Sequence, residues 1–582
     1  MNQTRPSRPT VRSSSSDSSR SPSPGTGEVT TGESASRISS SWPRKSSRLT
    51  LPVAMSSPCK RDSRWDRSTT SKLVDTLAVP SCVELPSRAR SHQSLEQCRL
   101  RANLSDMSVM STSPTVQPLR VLLEVIPGES LLAAMDEDAD LAGNPHAAEH
   151  LSRAGLVVDS EWPSLGISAA HRTVTTMALA GRPRFDRLRD AVSRVGEALP
   201  FDVPVPGGGP RSVLFRGELP PGDSAREALD AVQEHARVVR VYADPPIALC
   251  ACRRPRDPAY GTVEDVARLL DVERLHRSGL DGRDVSVVLV DAGINLDFLH
   301  ERARPHPFDE SLSCAAGDSG ATPGSFPVGH GTMAAFQIGI GAPRATLVDH
   351  AVVLAPSGDP DDEPRIAAWL SDIAPGYASL RDHLKGLEPA ARRLVVSNSW
   401  ALINPAWDFP AGPRNYSSNP QHPFLRLVRE LVDLGADVLF AAGNCGEPFP
   451  VAGCGFDFQP ICGANSLPEV ITVGGVDIDG LRVGYSSQGP GRLELQKPDI
   501  CGYTHYQGSR AVPRADWGTS AACPQVAGIV AAVRSKRNSA ELSPNDLHAA
   551  LTASARRTRD EFSPDVGWGI VDAAALLERL GL

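Results

Sequence analysis

The stretch GTSAACPQVAGIVAAVRSKR, residues 518–537, decides how this chain is read. Small residues crowd around Ser520, Pro524 follows, and an apolar run continues with helical spacing. A serine there is either an N-cap that satisfies free backbone N–H groups or a nucleophile at the positive end of a helix dipole. The rest of the chain must choose between these.

At 582 residues the chain exceeds the size at which a single core stops growing. It is 40% hydrophobic and 22% charged, and no apolar run reaches 18 residues, so no membrane span is expected. Residues 1–118 carry 17 Lys and Arg against 9 Asp and Glu, which leaves the remainder acidic within a net charge of −8. An acidic body gives no electrostatic reason to bind nucleic acid. The start, MNQTRPSRPTVRSSSS, has no apolar signal core. A cytoplasmic site with reduced thiols is therefore the expectation. A true start at Met107 or Met110 would reopen an extracellular one.

Three segments follow. Residues 1–118, with 16 serines in the first 50, read as a disordered Ser/Arg/Pro-rich tail. Residues 119–250 read as a small α+β domain. Its strands are LRVLLEVI, RSVLFRGEL and RVVRVYA, and its helices FDRLRDAVSRVGEAL (185–199) and DSAREALDAVQEHA, the latter capped by Asp223 or Ser224. DPPIALCACRRPRDPAYG then reads as a connector open to proteolysis. Over 260–582, helices alternate with short Val- and Leu-rich strands. That pattern predicts an α/β fold with a mainly parallel sheet and helices on both faces. Here VEDVARLLDVERLHRSG reads as one helix, and RIAAWLSDI and LRDHLKGL as two more.

In such sheets chemistry gathers at the carboxyl ends of the strands. Asp291 directly follows VSVVLV, His330 sits between two glycines at a helix start, Asn444 closes LFAAGN, and Ser520 opens the last apolar helix. Taken singly these are a turn, a cap, a loop amide in left-handed geometry and an N-cap. Taken together they supply a nucleophile, its base, a carboxylate to orient the base, and an oxyanion donor.

The blocks VVLVDAGIN, GHGT, AAGN and GTSAACPQVAG resemble those of the subtilase (subtilisin-like, S8) serine protease family, in its order Asp, His, Ser. The weaker blocks VVSNSW, VITVGGV, YSSQGPG, KPDI and GWGIVDA agree in order. The resemblance implies a subtilisin-like fold over 260–582 and a serine endopeptidase. It would have Asp291, His330 and Ser520 as triad, and Asn444 with the Ser520 backbone N–H as oxyanion donors. It also implies that the backbones of Ser399, Trp400 and Ala401 and of Ala441, Ala442 and Gly443 flank the first substrate pocket and take extended peptide as an added strand. Substrates would be proteins or peptides. No cofactor would be required, and structural calcium has no located site, since Asp359, Asp361, Asp362 and Glu363 read as a solvated loop.

Residues 119–250 resemble the family's inhibitory propeptide, with a cut expected within 243–260; a permanent accessory domain is the alternative. Departures from the family pattern are Met333, Ala521, Gln525 and Ala401, which bear on substrate preference. A catalytically silent, peptide-binding relative is the second hypothesis. A nucleotide-binding α/β protein is the third, and it lacks both phosphate-binding glycine motifs. Cys445, Cys454 and Cys462 share one loop, and Cys250 and Cys252 form C-x-C. Their spacing does not fit zinc, and it leaves both a loop disulfide and free thiols open. Cys523 reads as core.

Overall fold

The computed structural model describes residues 119–125, 155–159, 161–168, 211–220, 224–233, 238–250, 258–316, 321–353, 368–557 and 561–582. The tail expected over 1–118, the helix expected over 185–199 and the acidic run at 359–363 lie outside them.

The first sheet is antiparallel. It holds β1 Leu119–Val125, β2 Val157–Val158, β3 Leu165–Ser168, β4 Arg211–Leu219 and β5 Val238–Ala243, with β4 and β1 at its centre. Helix α1, Ser224–Gln233, follows β4. Period-2 alternation splits the side chains of β1. Val121 and Leu123 join a core closed by Ala228 and Val232 of α1. Leu122 faces the other way, into a larger cluster.

The connector is not a loop. Pro246–Leu249 forms a strand, β6, that is almost wholly buried. It acquires its structure from two outside edges, which the local pattern could not reveal.

The remainder begins with α2 Val263–Leu269 and α3 Val272–Arg277, then β7 Ser286–Asp291, α4 Leu296–Glu301, β8 Cys314–Ala315, α5 His330–Gly341 and β9 Thr346–Ala351. Next come β10 Ala368–Trp369, α6 Leu370–Gly386, β11 Leu394–Asn398, β12 Trp400–Ala401, α7 Pro423–Asp433, β13 Asp437–Ala441, β14 Ile471–Val476 and β15 Ile500–Tyr503. Helices α8 Thr519–Arg534, α9 Pro544–Ala553 and α10 Ala573–Leu580 end the chain. The single helix expected over 263–279 is two, broken at Asp271, whose φ of 49° is a left-handed conformation that aspartate tolerates. The two helices expected over 365–387 are one, preceded by β10.

Seven parallel strands form the main sheet, in the order β15-β14-β13-β11-β7-β9-β8. Val287 and Leu289 face the layer of α5 and α8, whereas Val288 and Val290 face that of α6 and α7. Each such fully buried side chain contributes roughly 1.5–3 kcal/mol. The chain runs from β7 to β9 on one side and returns to β11 on the other, so the carboxyl end of β7 is a topological switch point, where ligand sites form.

Candidate active site

Asp291 is the last residue of β7, fully buried at the switch point. His330 is the first residue of α5, and its Nδ1–H donates to Asp291 Oδ1 at 2.7 Å. The Asp291 Oδ1 atom also accepts from Ala292 N–H at 2.7 Å. With Nδ1 protonated, His330 Nε2 is an acceptor, and it lies 2.9 Å from Ser520 Oγ. Ser520 is not a cap: Gly518 holds the N-cap position of α8 and Ser520 is the second helical residue. Its hydroxyl instead faces His330 and, at 3.0 Å, the carbonyl oxygen of Cys250.

Asn444 follows Gly443, whose φ of 93° makes the turn after β13; the left-handed residue is this glycine and not the asparagine. Thr519 N–H donates to Asn444 Oδ1 at 2.9 Å, and Thr519 Oγ–H to the same atom at 3.0 Å. A backbone N–H can only donate, so Asn444 must turn Nδ2 outward, where it donates to the Cys250 carbonyl. Gly518 is obligatory. Its φ is 86°, and a Cβ there would lie 2.6 Å from the Cys250 oxygen and 2.8 Å from Ser520 Oγ.

The expected peptide-binding edge is occupied. In β12, Trp400 and Ala401 pair antiparallel with Leu249 and Ala248, and Cys250 N–H donates to Ser399 O at 2.9 Å. The Trp400 indole is core, packed against Phe424 and Phe440, so only its backbone faces the cleft. On the other side of β6, Ile247 and Pro246 pair with Ala368 and Trp369. Cys250 shares a buried cluster with Ala401, Ala441, Cys445 and Val451. The segments 399–401 and 441–443 face each other, since a Cβ on Gly443 would sit 3.7 Å from that of Ala401.

Sequence reasoning missed the supports of this site. Helices α5 and α8 meet backbone to backbone, where a Cβ on Gly528 would be 2.5 Å from Ile338 O. Beside that contact, Gln337 Nε2 donates to Asp516 Oδ2 at 2.6 Å, and Tyr506 OH donates to Gln337 Oε1. Gln525 Nε2 donates to Tyr506 OH at 3.1 Å, so the residue that departs from the family pattern serves a buried network. Burial pushes the Asp516 carboxyl up to about 6. Pro524 is the sixth residue of α8, and it removes the bond to the Ser520 carbonyl. Burial pushes the Cys523 thiol up to about 12, which makes it no competitor to Ser520 as nucleophile. Cys445 and Cys454 form a disulfide, and Cys462 is a buried thiol. Met333 and Ala521 fill core positions.

The first sheet docks beside the cleft through buried polar contacts. Arg426 of α7 pairs with Glu124 at 2.7 Å, the two side chains being 7% and 1% exposed. Tyr242 OH donates to Glu124 at 2.9 Å. At the start of α6, Asp244 accepts from the Ser371 N–H at 2.8 Å and from its hydroxyl at 2.7 Å. Pro375, inside α6, cannot bond the Ser371 carbonyl, and Trp162 Nε1–H donates to that oxygen at 3.0 Å instead.

Among the described residues no cluster of His, Cys, Asp or Glu is disposed to hold a metal ion, and no helix is long and apolar enough to cross a membrane.

Residues 282–569 match the family model described as the subtilase family. No curated protein matches the chain. Fervidolysin from Fervidobacterium pennivorans, described as a keratinolytic enzyme related to subtilisin, is a similar solved structure at 16% identity and a TM-score of 0.45. The match covers 80% of this chain and 62% of fervidolysin, less than two thirds of that protein's length.

Proposed function

The chain belongs to the subtilase family of serine peptidases, and from that premise we propose that it is an endopeptidase that first cuts its own chain after Cys250. Asp291, His330 and Ser520 take the triad roles, and Asn444 that of oxyanion donor. One observation carries the reading. The Cys250 carbonyl oxygen lies between Asn444 Nδ2 and Ser520 Oγ, with His330 Nε2 2.9 Å from the hydroxyl.

Ser520 Oγ attacks the Cys250 carbonyl carbon while its proton passes to His330 Nε2. Asp291 holds the imidazole in the required tautomer and stabilises the imidazolium. The amide of Asn444 stabilises the oxyanion by roughly 2.7–4 kcal/mol. When the tetrahedral intermediate collapses, the bond to the nitrogen of residue 251 breaks, and that nitrogen leaves with the proton from His330. Water, deprotonated by the same imidazole, then releases the Cys250 carboxyl group and restores Ser520.

On this reading residues 119–250 are a propeptide-like inhibitor, and β6 sits in the cleft as a substrate would. The strand then describes the preferred substrate, an extended peptide with a small residue before the cut and a buried aliphatic residue, as Ile247 is, three places earlier. The Cys445–Cys454 disulfide is of a kind that persists in oxidising compartments and weighs toward export over a cytoplasmic site.

The test is N-terminal mass spectrometry with fluorophosphonate labelling. Wild type should accumulate a chain beginning at residue 251 and carry label on Ser520, and Ser520→Ala should stay whole and unlabelled. A whole, unlabelled wild type would favour the catalytically silent peptide-binding protein, with β6 as its resident ligand. A labelled wild type that is cut elsewhere would keep the chemistry and remove self-cleavage after Cys250.

A further inference from the structure

Strand β9 carries a carboxylate where its register partner on β7 is apolar. Asp349 lies between Val348 and His350 and is fully buried. It pairs with Leu289 in the parallel register, and Asp291 is two residues beyond Leu289. Side chains alternate along a strand, so Asp349 and Asp291 project from the same face as diagonal neighbours.

What Asp349 touches is specific. Its Oδ2 accepts from Ile294 N–H at 3.0 Å and from Gly324 N–H at 2.8 Å. Ile294 belongs to the turn that leaves Asp291, and Gly324 to the loop that leads into His330. One carboxylate oxygen therefore ties together the two segments that present the base and its orienting acid. The same crossing is pinned from outside, where Phe326 N–H donates to Ile294 O at 3.0 Å and Asn295 Nδ2 to Phe326 O at 2.7 Å. There is no slack at its centre, because a Cβ on Gly331 would lie 2.3 Å from Gly293 O. The second oxygen, Asp349 Oδ1, is buried without a hydrogen-bond partner among the described residues, as is Asp291 Oδ2.

We propose that Asp349 is a positioning residue, a buried carboxylate that clamps the Asp291 turn to the His330 loop and, through its negative charge, strengthens proton binding at His330. The proposal rests on the reading of Asp291 and His330 given above. It differs from simple packing in needing both the acceptor atom and the charge. The titratable groups around it are Asp291 on β7 and Cys314 on β8, and His330 lies beyond Asp291. His350, on the same strand, turns away and donates Nε2–H to Leu312 O at 2.9 Å. Burial, and then the charge of Asp291, push the Asp349 carboxyl up to about 6.

The test uses the full-length chain in the Ser520→Ala background, so that neither turnover nor self-cleavage enters the measurement. Titration of His330 is followed by NMR, together with the downfield proton of its hydrogen bond to Asp291. Asp349→Asn keeps an oxygen acceptor and loses the charge; it should lower the His330 midpoint by about one pH unit while keeping the downfield proton. Asp349→Leu loses both and should broaden that proton away. Melting curves confirm which variants are folded. A folded Asp349→Asn with an unchanged midpoint overturns the proposal, as does a folded Asp349→Leu that keeps the downfield proton. In chains that retain Ser520, kcat should fall about tenfold in Asp349→Asn with KM nearly constant. If wild type hydrolyses nothing, the peptidase reading fails, but the NMR result still decides the role of Asp349.

Discussion

The two large sheets of this molecule are finished differently. The seven-stranded sheet is covered on both faces by helices from its own stretch of chain, α5 and α8 on one side and α6 and α7 on the other. Among the described residues, the antiparallel sheet between Leu119 and Ala243 has a helix of its own, α1, on one face only. Its other face, with Leu122, Leu165, Ile167, Leu214 and Tyr242, is completed by borrowing the outer side of α6 and α7. The contrast separates a self-sufficient body from a dependent one. The second sheet is folded against a surface, and that surface includes a buried ion pair whose desolvation is costly.

The largest expected effect isolates chemistry from docking. Ser520→Ala should reduce peptide hydrolysis by about 10⁶-fold and leave the melting transition in place, as measured with a fluorogenic peptide containing Ile-Ala-Leu-Cys. An equal fall in melting temperature would mean that Ser520 is structural. The next change strikes the borrowed face. Glu124→Ala strands the Arg426 guanidinium in a buried site and should weaken the docked domain by about 3–5 kcal/mol, read from denaturant unfolding in the Ser520→Ala chain. A loss under 1 kcal/mol would make the two sheets energetically alike. Asn444→Ala should lower kcat by about 10²–10³-fold without loosening either sheet.

The smallest effect is in pH. Burial holds the imidazole of His422, whose Nε2–H donates to Ala243 O at 2.9 Å, down to about 3. Such a group contributes stability above its ordinary value of 6.5, and that stability is lost as pH falls from there toward 3. Asp244 has the opposite sign. Burial raises it to about 6, so its contribution is present at low pH and is lost as pH rises through 6. Acidification from 7 to 4 should therefore lower the share of the melting temperature that His422 contributes. His422→Gln, which keeps a donor for Ala243, should flatten that fall; an unchanged slope would remove His422 as its source.

The parts of the site that were legible share a cause. Asp291, His330, Asn444 and Ser520 are of the few residue types that the proposed chemistry admits, and each lies in a short motif after a strand or at a helix start. Strand β6 was read as a connector because its pairing comes from β10 and β12, over a hundred residues away in the chain. Asp349 left a trace, a carboxylate beside Val348 in a buried strand, but its two partners lie in separate loops. Gln525 looked like a substrate-preference change and proved to be part of a network behind the serine helix.

The first turn of α6 has a consequence of its own. Its Ser371 N–H is met by Asp244, and the carbonyl that Pro375 cannot reach is met by Trp162. Both visitors precede Cys250 in the chain. If the proposed self-cleavage sheds them, the remaining chain keeps a helix end fashioned for company it no longer has, two backbone groups that only solvent can then satisfy. Amide exchange at Ser371 would thus serve as a local clock, running slow while the departed segment still clings and fast once it has gone.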